Sequence, residues 1–464
     1  MTAVSQPNVF LEGNFAPWRS TGDFDGLEVV GELPRELCGT YYRNGPNPAF
    51  EPPGRYHWFD GDGMIHAIRL EDGRASYANR WVESAGLQEE RRAGKALFKG
   101  LLEMDLSETP GFKNTGNTNI VWHAGKLMAL MEAAFPTCMD PRTLATVGEY
   151  DFGGRLIGPM TAHPKMDPET GEMLFFGYSP FPPYLQYHVA DASGALVRSE
   201  VIDVAWPSMI HDFAVTAEHV VFILCPLVFS FENMRERGGA FSWEPARGTR
   251  LGVMPRNGGN TDVRWFTTDA SYVFHPMNAY TEGDTLTLDV CRYGRLDFMS
   301  AQAVADPTYR DENAARLHRW RIDLRGGTVA SAPLDDVVSE FPRVDERLLG
   351  RRHRFGYVAA REPGEEGGAQ PLWTAIRKYD LDRGRIESRS FGPGNGVAEP
   401  LFVPRAAAAA EDDGFVLVLV YDQARDTSEF VVLDARAIDR EPLARVRLPH
   451  RVPYGFHGNW VPAA

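Results

Sequence analysis

Four of the twelve histidines lie in similar contexts, beside proline, glycine or small residues at the edges of strand-like segments. They are His163 in TAHPKM, His211 in MIHDFAV, His275 in VFHPMNAY and His457 in GFHGNW. Their successive spacings are 48, 64 and 182 residues. Blades of a β-propeller of roughly 50–65 residues would put these positions about one, one and three blades apart. Because equivalent positions face the propeller axis, the four imidazoles are expected to converge on a transition metal, such as iron, zinc, copper or nickel. The simpler alternative is four separate structural histidines, each hydrogen-bonded at a strand edge.

Three glutamates stand in apolar surroundings: Glu132 in LMALMEAAFP, Glu340 in VVSEFPRV and Glu399 in VAEPLFVPR. An unpaired buried carboxylate is costly. A carboxylate that accepts the free ring N–H of a metal-bound histidine fixes its tautomer and raises its basicity. These glutamates are therefore candidates for supporting metal-binding histidines. The alternative is that each one is half-exposed and ends a strand. Among the other histidines, His66 is a candidate core or channel residue, and His57, His188, His318, His353 and His450 are interpreted as polar loop or strand-edge residues.

Other recognisable catalytic motifs are absent from the sequence. It contains no GxSxG, HExxH, P-loop or GxGxxG motif. The four cysteines, Cys38, Cys138, Cys225 and Cys291, form no CxxC pair, which suits a reducing compartment. No signal peptide is visible, and the longest apolar run, Phe415–Tyr421, is far shorter than the roughly twenty residues that a spanning helix needs. We therefore predict a cytoplasmic protein.

The charge balance argues against nucleic acid as a partner. The chain has 48 basic and 63 acidic residues, a net charge of −15, and its basic residues are scattered. An acidic surface repels phosphate backbones. The sequence predicts no protein partner.

The elements that must position these residues read as short strands. Glycine (45) and proline (33) are spread along all 464 residues and separate segments of the strand–turn–strand type. Examples are Asn117–Glu132, His211–Leu224 and Gly414–Ala435. The best helical candidates are Ala93–Leu106 and Phe229–Arg237. No linker divides the chain, so residues 1–464 are predicted to form a single all-β domain, a β-propeller of about seven blades.

Several motifs together resemble the carotenoid cleavage oxygenase family, in the family's order and over nearly the whole chain. They are RNGPNP (Arg43–Pro48), HWFDGDGMIHA (His57–Ala67), TAHPKMDPETGEM (Thr161–Met173), HDFAVT (His211–Thr216), FHPMNAY (Phe274–Tyr280), EPLFVPR (Glu399–Arg405) and GFHGNW (Gly455–Trp460). The resemblance implies a seven-bladed propeller with a helical and loop cap over the active-site face. It also implies a non-haem Fe(II) held by His163, His211, His275 and His457. By analogy Glu132, Glu340 and Glu399 hold the last three of these histidines, which leaves His163 without a carboxylate partner.

The implied reaction is cleavage of a carbon–carbon double bond by dioxygen to give two carbonyl products, which needs no general base. Family members that cleave 4-hydroxystilbenes or isoeugenol carry a lysine directly before the glutamate that corresponds to Glu132. They also carry a tyrosine upstream of it. Here that position is Met131, and Lys95–Met104 contains no tyrosine. A methionine cannot bind a phenolate, so a carotenoid or apocarotenoid is favoured over a stilbene or phenylpropenoid. Isomerohydrolase activity fits less well, since it appears confined to the vertebrate visual branch.

Apolar segments are candidates for a substrate tunnel and for contact with membranes. Tyr178–Tyr187 and Cys225–Phe231 suit a tunnel or cap, although ordinary packing explains them equally well. The stretch Cys225–Phe241, with Arg235 and Arg237, suits peripheral membrane contact at a tunnel mouth. Two alternatives come from other classes of protein. One is a non-catalytic propeller that binds a partner, and the other is a calcium-dependent lactonase, which needs Asp, Asn and Glu ligands.

Overall fold

The computed structural model describes residues 8–103, 112–232, 234, 240–296, 313–364 and 373–463. Its antiparallel sheets form seven blades arranged around a central axis, so the predicted all-β, seven-bladed propeller is confirmed.

The first four blades have these strands. Blade 1 contains β1 (Gly22–Phe24), β3 (Gly39–Pro46), β4 (Gly63–Glu71), β5 (Arg74–Trp81) and β32 (Gly458–Pro462). Blade 2 contains β6 (Asn119–His123), β7 (Lys126–Leu130), β8 (Thr137–Met139) and β9 (Thr146–Glu149). Blade 3 contains β10 (Lys165–Met166), β11 (Met173–Tyr178), β12 (Leu185–Ala190) and β13 (Leu196–Val201). Blade 4 contains β14 (Phe213–Val215), β15 (His219–Leu224), β18 (Thr249–Pro255) and β19 (Arg264–Thr268). A separate hairpin, β16 (Leu227–Phe229) and β17 (Phe241–Trp243), lies between β15 and β18.

The last three blades share or exchange strands. Blade 5 contains β20 (Tyr272–Glu282), β21 (Thr285–Tyr293), β22 (Arg316–Asp323) and β23 (Val329–Arg343). The long β23 continues into blade 6, where it pairs with β24 (Phe355–Ala360), followed by β25 (Ala375–Asp380) and β26 (Arg385–Ser390). Blade 7 contains β27 (Gly396–Val397), β28 (Leu401–Pro404), β29 (Gly414–Asp422), β30 (Thr427–Asp434), β31 (Ala444–Arg447) and β2 (Val29–Gly31).

Strands from distant parts of the chain close the ring. β32 pairs with β3 in blade 1, and β2 pairs with β31 at the outer edge of blade 7. Blades 1 and 7 therefore each combine early and late segments of the sequence. This pairing links the beginning and the end of the chain within the ring.

The burial pattern of each strand reflects its place in a blade. The central strand β29 is buried along all but its last residue, and its sequence, GFVLVLVYD, is an almost continuous apolar run. In the outer strand β13, with the sequence LVRSEV, exposed residues instead alternate with buried or partly buried ones. Asp72 and Gly73 both adopt positive φ angles, 49° and 72°, in the two-residue turn between β4 and β5. Such a turn matches the strand twist and strongly prefers a glycine.

The hydrophobic core is distributed between the blades. Seven clusters of buried side chains each combine residues of two neighbouring blades. One of them joins Tyr41 and Ile68 of blade 1 to Leu417 and Phe430 of blade 7. Each blade buries an apolar face on both sides in this way, so the packing is continuous around the ring.

The helix that follows blade 1 differs from the first predicted one. It covers Ala85–Ala93, whereas Ala93–Leu106 was expected to be helical. Ser84 caps its N-terminus by accepting a hydrogen bond from Leu87 N, and Gly94 ends it in a left-handed conformation with φ of 67°. The second helical prediction, Phe229–Arg237, holds at Phe231, Glu232 and Met234, which are helical, and was wrong at Phe229, which ends β16. Residues 233 and 235–237 lie outside the described residues. In the part of the chain that is described, no helix has the length and apolar character needed to cross a bilayer.

Candidate metal centre and substrate cavity

Four innermost strands bring the predicted histidines to the propeller axis. His163 lies just before β10, His211 just before β14, and His457 directly before β32, while His275 lies within β20. These strands belong to blades 3, 4, 1 and 5 respectively. Each innermost strand lies near the axis, so these histidines approach one another although 48 to 182 residues separate successive ones in the sequence.

The four rings form one compact cluster. One ligand atom from each histidine can be chosen so that all four lie within 4.8 Å of one another. The Nε2 atoms of His163 and His211 are 2.9 Å apart, and those of His211 and His275 are 3.2 Å apart. Two nitrogens at about 2.1 Å from one ion, at a right angle, would be about 3 Å apart. The spacing therefore suits ligands around a single metal ion.

Three of the rings hydrogen-bond to carboxylates through their other nitrogen. His211 Nδ1 donates to Glu132 Oε2 at 2.5 Å, and His275 Nδ1 donates to Glu340 Oε2 at 2.6 Å. The third hydrogen bond, from His457 Nδ1 to Glu399 Oε1, is 3.0 Å long. Each hydrogen bond fixes the ring orientation and leaves the lone pair on Nε2.

The chemistry of this donor set fits a bound cation. In the neutral form that metal binding requires, with Nδ1 protonated and bound to a carboxylate, His211 and His275 present the lone pairs of their Nε2 atoms to each other at 3.2 Å. Two facing lone pairs repel each other, and a cation between them removes the repulsion. The cluster contains only imidazoles as its inner donors. This differs from the cage of oxygen ligands that a calcium site requires.

Burial and charge shift the acid–base properties of the cluster. Burial lowers the pKa of His457 to about 4 and holds that of His163 well below its usual value. Burial also opposes charge on His275, but the carboxylate of Glu340 outweighs it and raises the pKa. Burial alone would raise the pKa of Glu399, whereas Arg343 and His457 lower it to about 2. The cluster thus contains two imidazoles, His163 and His457, whose neutral form is favoured, together with the ionised carboxylate of Glu399, and metal binding needs ligands in these forms.

Each carboxylate has a second partner that the sequence did not reveal. The hydroxyl of Tyr178 donates to Glu132 Oε1 at 2.6 Å, and that of Tyr293 donates to Glu340 Oε1 at 3.1 Å. Glu399 accepts from Gly458 N at 3.0 Å and lies 3.4 Å from Arg343 Nη1. Tyr178 was noted only as part of an apolar segment, because no sequence signal connects it to Glu132.

His163 differs from the other three histidines. Its Nδ1 lies 3.8 Å from Asp212 Oδ2, too far for a direct hydrogen bond. Asp212 is held by Lys165, whose Nζ lies 2.8 Å from Oδ1 and 3.0 Å from Oδ2. Asp212 follows His211, and Lys165 lies two residues after His163. Adjacency to the histidines was therefore the only sequence signal for this pair.

An apolar cavity of about 570 Å³ reaches the cluster. His211, His275 and His457 form part of its wall. Much of the remaining wall is aromatic, with Phe15, Trp58, Phe59, Phe274, Tyr454 and Phe456. Its volume is typical of a small-molecule site, and its wall suits an apolar ligand.

Both predicted tunnel segments contribute to this cavity. Tyr178–Tyr187 provides Tyr178 and Phe181, and Cys225–Phe231 provides Phe229. Met131 also lines the cavity, next to Glu132.

The remaining histidines lie apart from the cluster. His66 is 2% exposed and bonds to the hydroxyl of Tyr77 at 2.7 Å, so it is a core residue, as predicted. His57, His353 and His450 lie in loops, as predicted, but are buried. His188 and His318 lie within the strands β12 and β22.

Comparison with known proteins identifies the class to which this fold and site belong. A profile of the retinal pigment epithelial membrane protein family matches residues 15–462. The chain is therefore a member of that family, the carotenoid cleavage oxygenases.

Individual relatives are similar over nearly the whole chain. The carotenoid cleavage oxygenase of Mycobacterium tuberculosis is 36% identical over 507 aligned residues, covering 99% of each chain. The crystal structure of lignostilbene dioxygenase from Pseudomonas brassicacearum matches with a TM-score of 0.93 and 34% identity, covering 99% of this chain and 100% of the other. Apocarotenoid oxygenase from Synechocystis matches with a TM-score of 0.87 and 30% identity, covering 96% and 97%.

Proposed function

We propose that the protein is a non-haem iron dioxygenase that cleaves a carbon–carbon double bond of a carotenoid or apocarotenoid. Dioxygen supplies the two oxygen atoms of two carbonyl products. The observation that carries this proposal is the convergence of four imidazole nitrogens at the wall of an aromatic cavity. Membership of the oxygenase family supports the same reaction class.

In this proposal the metal ligands are His163, His211, His275 and His457, with Nε2 as the donor atom. These four imidazoles would hold a ferrous ion without a charged ligand, and the adjoining cavity would admit dioxygen and substrate. Bound there, the iron supplies the redox chemistry that allows dioxygen to react with an alkene.

The charges around the cluster support a divalent ion. The three buried or partly buried carboxylates that hold the rings carry three negative charges, and Arg343 beside Glu399 carries one positive charge. Arg343 also pairs with Glu346, whose side chain is 63% exposed, so water screens that charge and it is left out of the balance. Asp212 and Lys165 neutralise each other. A ferrous ion balances the two remaining negative charges, and uncompensated buried charge is strongly unfavourable.

The residues of the cavity orient the substrate and exclude water. A rigid polyene can lie along the aromatic wall, because it has no polar groups that need hydrogen bonds along its length. Met131 adds a soft apolar surface beside Glu132. Positioning of the double bond matters most, since small displacements from a reactive geometry reduce rates strongly.

Product analysis with a substrate panel tests the proposal. The iron-loaded protein is incubated in air with an apocarotenal, a carotenoid, resveratrol and isoeugenol, and the products are identified by mass spectrometry. We expect paired carbonyl fragments from the polyenes, with iron near one equivalent. Full activity of a well-folded, iron-free preparation would refute the iron mechanism. Calcium in place of iron would point to the lactonase alternative, and the absence of any metal to a non-catalytic propeller.

A stilbene or phenylpropenoid is the second candidate substrate. The similarity to lignostilbene dioxygenase, with a TM-score of 0.93, favours it. Met131 argues against it, because it provides no charge for a phenolate at the cavity wall. Cleavage of resveratrol but not of the apocarotenal in the same panel would select this alternative.

We also propose peripheral contact with membranes near the cavity. Phe181 and Phe231 are 54% and 43% exposed, and their ring centroids are 5.2 Å apart. Phe181 also lines the cavity. An exposed aromatic pair at this place suits a protein that takes an apolar substrate from a bilayer. Arg235 and Arg237 of the predicted patch lie outside the described residues.

We further propose that the protein is cytoplasmic and that it forms a single domain. Four free cysteines support a reducing, cytoplasmic location. The continuous packing between neighbouring blades supports one domain over residues 1–464. Nothing in the acidic composition favours nucleic acid as a partner.

A further inference from the structure

We propose that Asp212 and Lys165 are positioning residues for His163, and that their ion pair keeps this imidazole the weakest of the four donors. This inference rests on the proposed function, because it concerns how the chain holds a bound iron. It assigns a partner to the one histidine that no glutamate contacts in the described structure.

The geometry directs His163 towards both the cluster and the ion pair. Its Nε2 lies 2.9 Å from His211 Nε2 and therefore faces the metal position. Its Nδ1 must then carry the ring proton, and it lies 3.8 Å from Asp212 Oδ2. A small rotation of either side chain would bring the two atoms into hydrogen-bond range.

Asp212 is not free to act as the glutamates do. Lys165 Nζ lies within 3.0 Å of both carboxylate oxygens, and Phe213 N donates to Oδ1 at 2.6 Å. The side chain of Asp212 is 3% exposed and that of Lys165 is 15% exposed, so water screens the pair only weakly. Lys165 also lies over the ring of Phe213, 5.7 Å from its centroid, which fixes its position.

The neutralised carboxylate makes His163 chemically distinct. A carboxylate in direct contact with a ligand's N–H makes the imidazole a stronger donor. Glu132, Glu340 and Glu399 do this at 2.5–3.0 Å. The ammonium of Lys165 instead neutralises the charge of Asp212, so this carboxylate does not strengthen His163 in the same way. The metal bond to His163 is therefore expected to be the weakest of the four.

Opposite substitutions test the pair. In Lys165→Met the carboxylate of Asp212 is released towards His163, so iron should dissociate more slowly and the Fe(III)/Fe(II) potential should fall. In Asp212→Asn the charge of Lys165 remains alone, so the potential should rise and iron affinity should fall by roughly tenfold. The neutral double variant Lys165→Met/Asp212→Asn should have a potential between those of the single variants, and it guards against misfolding caused by a lone buried charge.

The measurements are iron dissociation into a chelator and redox titration of the iron-loaded protein. An ion pair between blades 6 and 7, Lys378 with Asp412 at 2.9 Å, provides matched controls, and Lys378→Met and Asp412→Asn should change neither quantity. Unchanged values in both single variants, or shifts in the same direction, would overturn the role of the pair. Failure of the wild type to bind iron would instead overturn the proposed function itself, together with this inference.

Discussion

The hydroxyl of Tyr178 donates a 2.6 Å hydrogen bond to Glu132, the carboxylate that also accepts from His211 at 2.5 Å. Tyr178 is the last residue of β11 and lines the cavity. Its loop continues to Phe181, which is half-exposed at the protein surface. One short segment therefore connects the surface, the cavity wall and the support of a predicted metal ligand.

Removing that hydroxyl should weaken iron binding without unfolding the protein. In Tyr178→Phe, Glu132 loses one of its two hydrogen-bond donors and holds His211 less rigidly. We expect a loss of iron affinity of roughly tenfold, typical for changes around the ligands. Competition with a chelator measures it. Tyr421→Phe removes a comparable bond, from Tyr421 to Asp426 at 3.0 Å in blade 7, and is expected to leave affinity unchanged. Equal affinity in both variants would contradict the role of Tyr178.

Iron should stabilise the folded protein only when the four histidines are intact. A ligand at a thousand times its Kd adds about 4 kcal/mol to the free energy of unfolding. We expect ferrous ion to raise the melting temperature of the wild type under anaerobic conditions, and to have little effect on His275→Ala. His318→Ala is the control, because His318 bonds to Ser331 at the outer part of blade 5. Equal stabilisation of all three proteins would argue against this site.

Acid should destabilise the metal-free protein over a defined pH window. Burial lowers the pKa of His188 and His353 from 6.5 to about 4. Between these two pH values the unfolded chain binds more protons than the folded one. The contribution of these histidines to the free energy of unfolding is therefore complete above pH 6.5 and falls as the pH drops towards 4. Each such histidine contributes about 1.4 kcal/mol per pH unit at most. Urea unfolding across this range measures the slope, and His188→Gln should reduce it. A slope identical to that of the wild type would show that His188 does not contribute.

Exchange of Met131 should alter substrate choice while iron stays bound. Met131→Lys introduces an ammonium into the apolar wall beside Glu132, so cleavage of an apocarotenal should fall by at least about tenfold, since burying a charge is costly. Met131→Leu conserves size and apolarity and should stay close to the wild type. The measurement is kcat/KM for the apocarotenal and for resveratrol, together with iron content. An undiminished kcat/KM for the apocarotenal in Met131→Lys would show that Met131 does not determine substrate choice.

Membrane contact should depend on the exposed aromatic pair. The double variant Phe181→Asp/Phe231→Asp places two charges where bilayer insertion is expected, so it should float less with liposomes than the wild type. Val197→Asp provides the control, since Val197 is 56% exposed on β13, an outer strand of blade 3. If the double variant and the wild type float equally, this surface is not the contact.

The propeller fold and the meeting of four histidines at its axis could be predicted from the sequence. The residues that hydrogen-bond to the supporting glutamates could not. Regular turns and strand-like runs indicate a propeller, and the repeated context of the four histidines indicates convergence on the axis. The partners of the carboxylates, Tyr178, Tyr293 and Arg343, were not predictable, because they meet the glutamates only when neighbouring blades pack. The helix was misplaced for a local reason, since Ser84 and Gly94 form caps that the apolar pattern of Ala93–Leu106 obscured.

The position of His457, directly before the strand that pairs with β3, has a consequence for biosynthesis. A chain emerging from the ribosome has made three imidazoles long before residues 458–462, and the edge of β3 stays unpaired until then. Unpaired edges favour association with other chains, so nascent protein should need chaperone protection until translation passes Pro462. Iron binding at the proposed site would then require the completed ring, because the fourth imidazole is made last.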